Sequence, residues 1–226
     1  MLQAARGDEA AAAAALETLC RTYWYPLYCY VRRRGHAPCD AQDLTQEFFA
    51  RMLAQDWVAR ADREKGRFRS FLLMAMSRFL ANEWDRARNL KRGGSHPHQP
   101  LVPDTAETRY AQEPATRTTP EDAFEKQWAL TLLDQVLEQL QQEYQVADQH
   151  ALFAALKPTL AGSRETLPYA ELGPRLGLSE GAIKVAVSRL RQRYRERLRA
   201  EIAQTVAGPE EVEEELRHLV RVLARG

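Results

Sequence analysis

Residues 66–94 read GRFRSFLLMAMSRFLANEWDRARNLKRGG, and the spacing of their apolar and basic side chains decides the fold. From Phe68 onward, Leu73, Met76, Leu80, Trp84 and Ala87 recur at three- and four-residue intervals, the period of a helix that buries one face. Arg78, Asn82, Asp85, Arg86 and Asn89 fall opposite, so the same helix is expected to present a polar face rich in arginine. Just upstream, DAQDLTQEFFARMLAQ (residues 40–55) repeats the pattern. There Leu44, Phe48 and Met52 form one line with Phe49 and Leu53 beside it, leaving Asp43, Gln46, Glu47 and Arg51 outward. The two stretches supply each other with a packing partner, and the arginines suit a polyanion better than a membrane surface.

Working outward, apolar and polar residues almost never alternate at the period of a strand, while helical spacing is nearly continuous. The fold class predicted is all-α. The exception is GGSHPHQPLVPDTAETRYAQEPATRTTP (residues 93–120), dense in Gly, Pro and Thr and without apolar period. Residues 93–119 are therefore read as a flexible linker, able to span roughly 90 Å if extended. At its end, TTPED offers Thr118 or Thr119 as a helix cap, Pro120 for the first turn and acids for the positive helix terminus. The chain of 226 residues thus divides into two small helical domains, residues 1–92 and 120–204. Residues 205–226 form an acidic C-terminal helical extension that restarts after Gly208 and Pro209.

Charge is segregated along the chain. Residues 1–92 carry 16 basic against 11 acidic side chains, and residues 163–200 carry 9 against 4. Residues 93–162 carry 4 basic against 10 acidic groups, and residues 201–226 carry 3 against 6. Two basic blocks point to two contacts with a polyanion, and the acidic block Glu210–Glu215 is expected to cover a basic face in the free chain.

In the second domain, LPYAELGPRLGLSEGAIKVAVSRLRQRYRERLR has the arithmetic of a helix-turn-helix. Leu172, Leu176, Leu178, Ile183 and Val187 pack two short helices across a turn at Gly177, after which Ser179 caps the second helix. That helix should expose Glu180, Gly181, Lys184, Ser188, Arg189, Arg191 and Arg193, small residues for close approach to a groove and cations for phosphates or guanine edges.

Other classes fit less well. No apolar run approaches the roughly 20 residues that span a bilayer, and the amino terminus lacks a secretory pattern, so a cytoplasmic protein without membrane contact is expected. Cys20, Cys29 and Cys39 suit reduced thiols, and Cys29, His36 and Cys39 lack finger spacing, so no metal or other cofactor is expected. With no nucleophile elbow, phosphate loop or zinc-protease motif, an enzyme is not expected either. The residues leave two other readings: a transcription regulator binding duplex DNA through residues 169–193 without polymerase, and a helical adaptor or anti-sigma-like interaction protein.

DAQDLTQEFFARML, then GRFRSFLLMAMSRFLANEWDRARN, then after a linker GAIKVAVSRLRQRYRERL, resemble in order the two domains of an extracytoplasmic-function (ECF) sigma factor of bacterial RNA polymerase. The resemblance implies that residues 1–92 dock on core polymerase and face the minus-ten promoter element, while 120–204 read the minus-thirty-five element. The docking residues it implies are Asp43, Leu44, Gln46, Glu47, Phe49 and Arg51. For minus-ten DNA it implies Arg63, Lys65, Arg67, Arg69, Arg78, Asn82, Arg86, Asn89, Lys91 and Arg92, and for minus-thirty-five DNA Ser179 with the seven residues named above. Partners implied are core RNA polymerase and promoter DNA, with an anti-sigma factor or other regulator as a further candidate. Arg78 and Asn82 stand where the family commonly has Asn and Asp, so the promoter sequence does not carry over.

Overall fold

The computed structural model describes residues 2–54, 67–90, 105–112, 118–160 and 168–225. Every regular element among them is helical: α1 (Leu2–Arg33), α2 (Pro38–Ala54), α3 (Phe68–Leu90), α4 (Thr105–Ala111), α5 (Pro120–Val146), α6 (His150–Leu156) with a 3-10 turn (Lys157–Thr159), α7 (Tyr169–Leu176), α8 (Glu180–Ala203) and α9 (Pro209–Ala224). No helix among the described residues is long and apolar enough to cross a membrane.

The chain divides into two compact units, but not where composition placed the boundary. One comprises residues 1–131 together with 205–226, the other residues 132–204. α5 therefore gives its first part to one unit and the remainder to the other, and the C-terminal segment belongs with the first unit. Apolar side chains on both halves of α5 explain the difference: Phe124 and Trp128 are buried near its start, Val136 and Leu140 further on. Thr119 is the cap of α5. Its hydroxyl accepts from the Asp122 backbone N–H at 3.0 Å, while its own N–H donates to the Asp122 carboxylate at 3.4 Å.

In the first unit α1 packs on α2 and α2 on α3. The tight corner between α1 and α2 uses Gly35 at φ +94°, a left-handed conformation that costs little without a Cβ. The buried line of α2 is Ala41, Thr45, Phe48 and Met52, with Phe49 beside it. Leu44 is only half-buried and Leu53 is exposed. The line turns toward small residues because Ala41 and Thr45 face inward, and the Thr45 hydroxyl is satisfied by the Ala41 carbonyl at 2.7 Å.

On α3 the buried residues are Arg69, Leu72, Met76, Phe79 and Leu80. Met76 and Leu80 are core as expected, whereas Leu73 is half-buried and Trp84 is 60% exposed. At about 100° per residue, Leu73 and Trp84 lie roughly a quarter-turn from the centre of the buried face, so the line from Leu73 to Trp84 had drifted around the helix. Phe48 of α2 meets Phe79 of α3 edge-on at 5.7 Å between ring centres.

The expected linker holds an ordered element. α4, Thr105–Ala111, docks on α1: Glu107 pairs with Arg32 at 2.8 Å and accepts from the Tyr28 hydroxyl. Arg32 also lies over the Tyr110 ring at 4.8 Å, and Arg109 lies over Tyr25 at 4.1 Å. Seven helical residues rise about 10 Å, less than half their extended length, so the span of roughly 90 Å overstated the reach.

The second unit gathers Val136, Leu140 and Tyr144 of α5, Phe153 and Leu156 of α6, Leu172 of α7, and Ile183, Val187, Leu190, Leu198 and Ile202 of α8. Gln139 donates to Glu201 at 2.6 Å and Glu143 pairs with Arg197, tying α5 to α8.

Candidate nucleic-acid and partner interfaces

On α2, Asp43, Gln46 and Glu47 share one face at three- and four-residue spacing and stand partly or fully exposed, with Leu44 beside them. Phe49 does not belong to that surface: at 5% exposure it is core, in edge contact with Phe48. Arg51 is held inside the unit. It pairs with Glu47, reaches Glu83 of α3 at 2.7 Å and lies over Phe79 at 5.1 Å. Partial burial opposes its charge, but the hydrogen bonds to Glu47 and Glu83 hold the guanidinium above its usual range. Arg51 therefore straps α2 to α3, and the outward ridge is Asp43, Leu44, Gln46 and Glu47.

The outer face of α3 carries Arg78, Asn82 and Arg86, all exposed and four residues apart. Glu83 pairs with Arg86 at 2.9 Å. Met74 is exposed one turn before Arg78 on the same face. Trp84, expected in the core, adds a large exposed ring to the flank. The Asn89 side chain and all of Arg63, Lys65, Lys91 and Arg92 lie outside the described residues.

Arg67 and Arg69, grouped by sequence with that surface, take a different place. Arg67 pairs with Glu214 at 3.0 Å and Glu215 at 2.9 Å. Arg69 is 5% exposed, paired with Glu215 and Glu125, with its guanidinium over the Trp128 ring at 5.2 Å. A buried guanidinium needs its charge matched and its donors filled, and two carboxylates and an aromatic face do both. In this arrangement Arg69 is not a surface cation. Tyr23 lies nearby, its phenol pushed well above the ordinary range by burial first and by the Glu215 and Glu125 carboxylates, against the opposing influence of Trp128 and Arg69.

In the second unit α7 ends at Gly177, φ +66°, whose N–H and that of Leu178 both return to the Gly173 carbonyl. The turn is so close that a Cβ on Gly173 would stand 2.6 Å from the Leu178 carbonyl oxygen. Ser179 then caps α8, accepting from the Ala182 N–H at 3.2 Å. Pro174 is accommodated inside α7. Glu180, Gly181, Lys184, Ser188, Arg189, Arg191 and Arg193 are all exposed, as is Ser179. Not all are equally available. Lys184 pairs with Glu180 at 2.6 Å, which holds its ammonium above the usual lysine range, Arg191 donates to the Thr159 carbonyl at 3.0 Å, and Arg193 leans over Tyr144 at 5.9 Å. Val185, absent from the sequence-based set, is exposed on the outward side between Gly181 and Ser188.

Cys29 is buried and Cys39 exposed, and among the described residues no three His, Cys, Asp or Glu side chains converge on a metal position. No protein-family model, curated protein or solved structure matches the chain.

Proposed function

We propose that the chain is a sigma factor of the extracytoplasmic-function type, which binds bacterial core RNA polymerase and directs promoter-specific initiation. The observation that carries this reading is that each compact unit presents its own exposed helix face bearing basic residues. α3 offers Arg78, Asn82 and Arg86, and α8 offers Gly181, Lys184, Ser188 and Arg189 behind a tight capped turn. A duplex-only regulator accounts for α8 and leaves the polar ridge of α2 and the outer face of α3 without a role.

On this reading the Asp43, Leu44, Gln46 and Glu47 ridge docks on core polymerase, and α8 enters the major groove at the minus-thirty-five element. The α3 face takes the melted minus-ten strand. Unstacking bases costs a few kcal/mol each, offset when bases stack on an exposed ring such as Trp84 and phosphates meet arginines. No bond is made or broken by the chain itself, so the work required of it is docking, positioning and strand capture.

The docking step is tested by gel filtration with purified core polymerase. The wild-type chain should co-elute, and the triple variant Asp43→Ala, Gln46→Ala, Glu47→Ala should not while keeping its helical circular dichroism. Equal co-elution of the variant would remove the ridge from the interface.

A further inference from the structure

The acidic extension has a defined seat. α9 is amphipathic, burying Val212, Leu219 and Val222, and Glu215 sits among them at 1% exposure. A carboxylate in an apolar stripe is costly unless a cation meets it there, and Arg69 and Arg67 do so. Glu214, one residue earlier and 58% exposed, takes the other side of Arg67. Two further contacts fix the seat. The Phe68 backbone N–H, a donor that the first turn of α3 cannot satisfy internally, is taken by the Thr205 carbonyl at 3.2 Å. His218 of α9 meets Glu125 at 2.6 Å, and Glu125 in turn holds Arg69. Glu211 turns back to the Ala207 N–H and plays no part in this cluster.

We propose that α9 is an acidic cover over the amino-terminal end of α3, and that Glu214 and Glu215 occupy the positions on Arg67 and Arg69 that phosphates of single-stranded DNA take once the cover is displaced. The inference rests on the proposed promoter-facing role of α3. Its chemistry is exchange of anions: Arg69 is buried with its counter-charge, so it becomes available only as another polyanion replaces the carboxylates. The free chain is then a weak binder of single strands, and displacement of α9 is the step that adds Arg67 and Arg69 to the cations already exposed on α3.

The test is fluorescence anisotropy of a labelled single-stranded oligonucleotide with the free full-length chain across a salt series. Glu214→Gln with Glu215→Gln should bind about fivefold or more tightly, with a log affinity against log salt slope steeper by about 0.7 for each phosphate gained. The gain should shrink when Arg67→Gln is added and vanish when Arg69→Gln joins it, since Glu215 holds both guanidinium groups. If loss of the buried Glu215 unfolds the chain, as read by circular dichroism, Glu214→Gln alone should still raise affinity, since Glu214 is exposed and its partner is Arg67. Unchanged affinity and slope in folded Glu214→Gln, or a Glu214→Gln gain that survives Arg67→Gln, would overturn the cover. Core polymerase binding is scored separately in the same variants, so that loss of the sigma-factor reading and loss of the cover are distinguishable.

Discussion

Arg69 and Glu215 lie 146 residues apart in sequence and meet as a buried ion pair, 5% and 1% exposed. Removing one partner leaves the other buried charge matched only by its remaining neighbour, Glu125 for Arg69 and Arg67 for Glu215, so the cost approaches from below the roughly 3–5 kcal/mol of a broken buried pair. Arg69→Ala and Glu215→Ala should each lower the urea midpoint by far more than Glu214→Gln, whose exposed pair is worth about 1 kcal/mol or less. The joint replacement Arg69→Met with Glu215→Leu should recover most of the loss. Equal, small effects of all four changes would show that the pair does not hold α9 in place.

The α4 latch on α1 should depend on pH. The Glu107 carboxyl is held below the usual range, first by its hydrogen bond to Arg32 and then, against the opposing effect of burial, by Tyr28 and the Arg32 charge. A depressed folded value means that the stabilisation is present above the unfolded carboxylate value of about 4.3 and is lost as pH falls through the lower folded value. Glu107→Gln should therefore be less stable than wild type at pH 7, by about 1 kcal/mol or less. The difference should shrink in urea titrations carried below about pH 4.

The α7–α8 turn makes graded demands on its residues. Gly173→Ala drives a Cβ against the Leu178 carbonyl oxygen, and Gly177→Ala strains a left-handed φ by about 1–3 kcal/mol. Ser179→Ala forfeits a cap worth about 1 kcal/mol. Thermal melts should rank the Ser179 change as the mildest, and duplex binding by the glycine variants should fall together with their stability.

Trp84 separates surface from core. An exposed ring truncated to alanine should change stability by only about 0.5 kcal/mol, whereas a buried phenylalanine such as Phe48 costs about 3–5 kcal/mol. If Trp84 stacks on a melted strand, Trp84→Ala should weaken single-strand binding by about 1–3 kcal/mol in a chain whose melting is unchanged. Large destabilisation by Trp84→Ala would return that residue to the core.

The all-helical class was legible because apolar residues kept a period near 3.6 through residues 40–55, 68–90 and 172–190, and the Gly177–Ser179 turn announced itself by residue type. The phase of each buried stripe was less legible. Thr45 and Ala41 give weak apolar signals yet face inward on α2, and Arg69 reads as a surface cation until Glu215 and Glu125 are brought to it. Partners from distant segments also account for α4, whose seven residues carry no apolar period and owe their docking to Arg32 and Tyr28. Val185 was recoverable in principle, being four residues after Gly181 and three before Ser188 on the same outward face.

The most direct test mixes the chain with bacterial core RNA polymerase and a fragmented bacterial genome and maps transcript starts. A sigma factor yields starts absent from core polymerase alone, sharing sequence elements near minus ten and minus thirty-five, and loses them when Lys184 and Arg189 are both changed to alanine. No chain-dependent starts together with no binding to core polymerase would contradict the proposal, and tight binding to palindromic duplex sites without polymerase would replace it with a regulator acting through α8.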